Sequence, residues 1–102
     1  MRKRFHPATK AVQLTAVLYA LSDPVRLAIV QSIAANGEQP CGTFNLPVAK
    51  STLSHHFRVL RESGVIRMES RGKHIINSLR RKDLDGRFPG LIGSILRESR
   101  TR

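Results

Sequence analysis

A single cysteine, Cys41, stands in the 102 residues, so no disulfide closes within the chain and no single-chain site can use two thiolates. A lone thiol fits a reducing compartment, the cytoplasm. Tryptophan is absent, and four Phe with one Tyr are too few for a platform that stacks single-stranded bases. No apolar run approaches the ~20 residues that span a bilayer. The opening MRKRFHPATK lacks the apolar stretch and small-residue cleavage site of a secretory signal. There is no glycine-rich phosphate loop, no matched acid–base carboxylate pair and no nucleophile elbow, which argues against an enzyme. Acid is scarce as well: seven Asp and Glu face 18 Lys and Arg, a formal net charge of +11. Thirteen of the cations are Arg, whose planar fork suits phosphates and guanine edges. Such a balance predicts a polyanionic partner, nucleic acid or an acidic membrane surface, and the missing membrane features favour the former.

What is present fits one small domain. Apolar residues make up 40% of the chain, enough for a core that is modest at this length and that oligomerisation would supplement. Residues 1–8 are basic, carry Pro7 and read as an N-terminal arm; 9–98 form the folded domain, and 99–102 a basic tail. Over 9–21, Leu14, Val17, Leu18 and Leu21 have the spacing of an amphipathic helix. Asp23 is a good N-cap and Pro24 suits the first helical position, so a second helix is predicted over 24–35, with Leu27, Val30, Ile33 and Ala34 inward. Asn36-Gly37 ends it. The two prolines and two glycines of GEQPCGTFNLPVAK leave room only for a short helix, over 41–46.

The clearest helix covers 51–63. Leu53, Phe57 and Leu60 form its apolar stripe, Gly64 closes it, and Ser51, His55, Arg58 and Glu62 fall on the opposite face. Two strands follow, 65–69 and 74–80, joined by a turn at 70–73 with cations at its tip. A closing helix is marked by Leu84, Phe88, Leu91 and Ile95, with a break near Pro89. The order, mostly α with one small β-hairpin, is that of a winged helix-turn-helix, whose second helix enters the major groove.

Three segments carry a closer likeness. ALSDPVRLAIV, STLSHHFRVLRESGVI and the hairpin RMESRGKHIINSL resemble the ArsR/SmtB family of winged-helix repressors, over roughly residues 12–80. The resemblance implies a homodimer that binds operator DNA and leaves it when a metal or another signal binds. It places Ser51, Thr52, Ser54, His55 and Arg58 on the DNA-facing helix; helical geometry assigns Ser51, His55 and Arg58 outward on its own. His56 falls at the edge of the core. Two adjacent helical histidines point ~100° apart and do not chelate one ion, so His55-His56 is not a metal pair.

The family's metal-binding patterns are missing. The positions of the arsenic- and cadmium-type cysteine pair hold Glu38 and Pro40, and 84–102 contain no histidine for the zinc and nickel type. No metal and no other cofactor is expected. Cys41 has two readings, a small half-buried residue or a redox switch at a helix N-terminus. On the hairpin, Arg67, Arg71 and Lys73 are either a solvated turn or, as the overall charge favours, contacts to phosphate or the minor groove. His74 either joins them or caps its strand. Arg2, Lys3 and Arg4 read equally as an arm along DNA or a solubilising tail. Arg26 gains nothing from the helix dipole in a first turn, and an ion pair or a phosphate contact would account for it. Leu14 and Leu18, with Leu84, Phe88, Leu91, Ile92 and Ile95, exceed what one small core needs and suggest a dimer interface built from the terminal helices. The expected function is a cytoplasmic, sequence-specific transcriptional repressor of double-stranded DNA. The alternative is a non-specific architectural or RNA-binding basic protein.

Overall fold

A computed structural model describes residues 4–100, with side chains through Glu98. Helices α1 (Leu14–Leu21) and α2 (Pro24–Asn36) are followed by the two-residue strand β1 (Gln39–Pro40) and a 3-10 turn, Cys41–Thr43. Then come helix α3 (Lys50–Glu62), the hairpin β2 (Ile66–Arg71) and β3 (His74–Leu79), and helices α4 (Arg81–Arg87) and α5 (Leu91–Arg100). The antiparallel sheet has the order β1-β3-β2. This is a winged helix-turn-helix.

Local chemistry sets the boundaries. The side chain of Asp23 accepts from the Val25 and Arg26 amides at 2.8 and 3.0 Å, and Pro24 follows as the first helical residue. The hydrogen bond from the Arg26 amide, with that from the Val25 amide and the charge of Arg26, holds the Asp23 carboxyl below its usual range. The break at 22–23 turns the chain by 98° between α1 and α2. Gly37, at φ +81, ends α2 by donating its N–H to the Ile33 carbonyl.

The 41–46 helix is replaced by the single turn Cys41–Thr43. Pro47 pushes the residue before it out of the helical region, and the Thr43 hydroxyl donates to the Pro40 carbonyl at 2.7 Å, closing the turn on itself. The 9–21 helix is likewise divided, into a 3-10 turn at Thr9–Ala11 and α1. In α2 the inward residues are Arg26, Ile29, Val30 and Ile33, whereas Ala34 is exposed. The closing segment breaks at Phe88-Pro89-Gly90, as the proline predicts.

The core joins Val12, Val17, Ala20, Ile29, Val30 and Ile33 to Phe57, Leu60, Val65 and Ile66, with Leu84, Ile92 and Leu96 closing it from the C-terminal side. Phe57 packs edge-on against Phe44, ring centroids 5.3 Å apart. The segment before the first turn runs along the outer edge of β2. The Met68 amide donates to His6 Nε2 at 3.0 Å, Arg4 reaches Ser70, and the carbonyls of Phe5 and Pro7 accept from Arg61 and Arg80. An edge strand is thereby covered on the side that would otherwise be open to pairing. Arg2 and Lys3, and the side chains of the 99–102 tail, lie outside the described residues.

Candidate nucleic-acid interface

Helix α3 is fixed at its C-terminal end by two hydrogen bonds. The Gly64 amide donates to the Arg61 carbonyl at 3.1 Å and the Val65 amide to the Leu60 carbonyl at 3.0 Å, the paired pattern that left-handed glycines close. Gly64 sits at φ +90, and a Cβ there would lie 2.6 Å from a Val12 methyl. Leu60 and Val65, both fully buried, supply the hydrophobic contact of that cap. The helix therefore meets the wing at a defined angle.

Its inner face buries Phe57 and Leu60, with Leu53 half-buried. Ser51, Thr52, Ser54, His55 and Arg58 are exposed together on the outer face. His56 turns inward and is only 8% exposed. Its Nδ1 accepts from Arg26 Nη1 at 3.1 Å, and its Nε2 lies 3.9 Å from Asp23 Oδ2. The two histidine rings stand 5.8 Å apart and tilted by 52°, facing different surroundings.

Arg26 is thereby accounted for as a structural residue. Its Nε and Nη2 donate to the carbonyls of Ala20 and Tyr19 at 2.7 and 3.2 Å, at the end of α1, where Tyr19 also accepts from the Ser22 amide and hydroxyl. Its guanidinium also lies over the Tyr19 ring, 5.1 Å from the centroid. One buried cation thus ties α1, α2 and α3 together behind the exposed face.

The hairpin turns through Gly72 and Lys73, between Arg71 and His74, with Gly72 at φ +59 in the first turn position, where a left-handed residue is needed. Lys73 and His74 are exposed. Arg71 is held: its two terminal nitrogens each meet Glu38 at 2.8 Å, and Glu69 takes Nε and Nη2 at 3.1 and 2.8 Å. The bonds from Arg71 pull the Glu38 carboxyl below its usual range, and the same carboxylates raise the guanidinium further above its already high value. Arg67 is half-exposed and 3.8 Å from Asp83. Lys73, His55 and Arg58 make no ion pair among the described residues.

Lys50, one residue before the predicted start, is the first residue of α3 and exposed. A cation gains nothing from the dipole at that end, which is the signal that would have marked it. Cys41 is half-buried and accepts a hydrogen bond from Asn77 Nδ2 at 3.2 Å. Of the seven apolar residues proposed for a dimer face, Leu84 and Ile92 are core residues of the single chain, 0% and 1% exposed. They pack within the chain because α4 and α5 close its C-terminal side. Leu14 and Leu18 are 44% and 43% exposed, and Phe88, Leu91 and Ile95 are half-buried. Among the described residues there is no cluster of three or more His, Cys, Asp or Glu, and no single helix is long and apolar enough to cross a membrane.

Residues 21–69 match the helix-turn-helix domain family. The chain is 35% identical over 84 residues to the uncharacterized HTH-type transcriptional regulator YceK of Bacillus subtilis, covering 78% of this chain and 82% of that protein. Its fold superimposes on the transcriptional repressor BigR of Xylella fastidiosa with a TM-score of 0.60 at 31% identity, over 74% of this chain and 85% of BigR. An ArsR family transcriptional regulator of known crystal structure shares the fold at a TM-score of 0.63 and 21% identity, over 86% of this chain and 92% of its own. With the exposed polar helix set beside a charged wing, these relations make the chain a member of the helix-turn-helix, DNA-binding transcriptional regulators, with the winged fold that an ArsR family regulator also has.

Proposed function

We propose that the protein is a homodimeric repressor that reads an imperfect palindromic operator in double-stranded DNA and is released by a signal. It would act in the cytoplasm, where that DNA lies. The observation that carries the reading is the outer face of α3, where Ser51, Thr52, Ser54, His55 and Arg58 are exposed together on a helix whose opposite face is locked into the core. A helix of this kind fits the ~12 Å major groove, and hydroxyls, an imidazole and a guanidinium can address base edges there. Lys73, Arg67 and Arg71 on the wing supply phosphate or minor-groove contacts, which position without reading sequence. Leu14 and Leu18, with Phe88, Leu91 and Ile95, supply the exposed apolar surface for a two-fold contact, with Leu84 and Ile92 supporting it from within. Two copies then present their α3 helices to successive grooves, about 34 Å apart.

Arg58→Ala tests the reading directly. It should relax base preference at one position per half-site, costing about 1–3 kcal/mol for the preferred base. Loss of affinity that is equal for every sequence would remove Arg58 from the groove and favour the non-specific architectural or RNA-binding alternative.

A further inference from the structure

Beneath α3, on the side facing the wing, lies a cavity of about 410 Å³. Its walls include Phe44, Leu53, Phe57, Met68 and Ile75, contributed by the loop after the 3-10 turn, by α3 and by the two wing strands. Lys50, Arg58 and Arg61 also line it, and none of the lining residues is Asp or Glu. At 100° per residue these three cations and Ser54 fall within about 80° of arc on α3, one charged edge along an apolar hollow. Ligand pockets are of this kind, ~300–1,000 Å³, mostly apolar, with a few convergent polar groups.

We infer that this cavity binds a small amphipathic carboxylate, with its apolar body between α3 and the wing and its carboxylate on Arg58 and Lys50. The charge complementarity selects the occupant: an apolar floor rejects a polar ion, and a rim of cations without acid rejects an amine. Arg61 is partly committed to the Phe5 carbonyl and to Glu62, whereas Arg58 and Lys50 are unpaired among the described residues. At ~30 Å³ per water-sized group the space holds about a dozen heavy atoms, the size of a medium-chain fatty acid or an aryl carboxylate. This inference rests on the DNA-binding reading for its consequence, because Arg58 serves both sites. A carboxylate that takes Arg58 withdraws it from the bases, so ligand and operator compete.

The test uses decanoate, with decylamine and decanol as cationic and neutral probes of equal tail length, titrated calorimetrically into the DNA-free protein below micellar concentrations. Decanoate should bind at one site per chain, at least about tenfold more tightly than either comparator. The methyl resonance of Met68 should move on binding. Val48→Phe, which fills the cavity from its lining without touching the outer face of α3, should abolish decanoate binding and leave DNA affinity unchanged. Absence of saturable binding up to about 1 mM would overturn the site, as would equal affinity for decylamine or an unmoved Met68 signal. Should Val48→Phe fail to fold, the contrast among the three probes on the wild-type chain still decides. A chain that binds decanoate as described but no duplex would refute the DNA reading and leave the site standing. One that reads DNA but ignores decanoate would do the reverse. Binding of both without competition would overturn the shared use of Arg58.

Discussion

Gly64 joins α3 to the wing, and its replacement by alanine is the most searching test of that joint. The residue sits at φ +90, where a Cβ meets a Val12 methyl at 2.6 Å and Pro7 at 3.4 Å. A left-handed backbone costs alanine about 1–2 kcal/mol, and overpacking against a buried neighbour adds about 1–3 kcal/mol. Gly64→Ala should therefore lower stability by about 2–5 kcal/mol in urea titrations. In a domain of this size that is a fall in Tm on the order of 10–20 °C. Val12→Ala alone removes two buried methyls and should cost about 1.5–3 kcal/mol. In the double variant the overlap disappears while the backbone strain stays. The two changes should thus be less than additive by about 1–2 kcal/mol. A Gly64→Ala protein as stable as the parent would contradict the left-handed closure, and strict additivity would contradict the contact with Val12.

Other consequences are as direct. Arg26→Met removes the donor of the Ala20 carbonyl and of His56 Nδ1, while Tyr19 keeps its Ser22 donors, and should cost about 2–4 kcal/mol by leaving those two buried acceptors unpaired, read as a lowered urea midpoint. Burial first, then Arg67 and Arg61, lowers the pKa of His6 below 6.5. A lowered histidine pKa means that the folded state disfavours the proton. The stabilisation from His6 is then complete above pH 6.5 and lost as pH falls below it, so the protection factor of the Met68 amide, its exchange relative to an unfolded chain at the same pH, should fall in that range. Lys73→Ala should flatten the salt dependence of DNA binding by about one unit, and Arg71→Ala by less, because Glu38 and Glu69 already neutralise Arg71 in the free protein. Equal slopes for the two variants would show that DNA displaces both carboxylates. Glu38→Gln should raise affinity for all duplexes alike at low salt, and the gain should vanish as salt rises.

Much of this was legible from short-range chemistry. Asp23-Pro24 announced the start of α2, Gly64 the end of α3, and the Leu53, Phe57 and Leu60 stripe fixed which face of α3 stays out. His56 turned inward as its angle required. Other features rest on tertiary partners that no local pattern shows. Arg26 finds its acceptors six and seven residues back and a histidine thirty residues on, which no local pattern shows. Arg71 is answered by Glu38 from the loop between α2 and β1, so a wing cation that looks free in sequence is paired in the fold. Leu84 and Ile92 carry the spacing of an interface stripe, but periodicity alone does not distinguish a stripe buried in its own chain from one that awaits a partner. The 41–46 helix failed because Pro47 and the Thr43 hydroxyl outweighed the short apolar pattern.

Selection of bound duplexes from a random pool by the purified protein, at moderate salt, tests sequence-specific operator binding most directly. Recovery of a palindromic motif with half-sites one helical turn apart is the expected result, and Arg58→Ala should blur one position in each half. Recovery of no motif, with binding that collapses uniformly as salt rises, would contradict it and reduce the outer face of α3 to a generic basic surface.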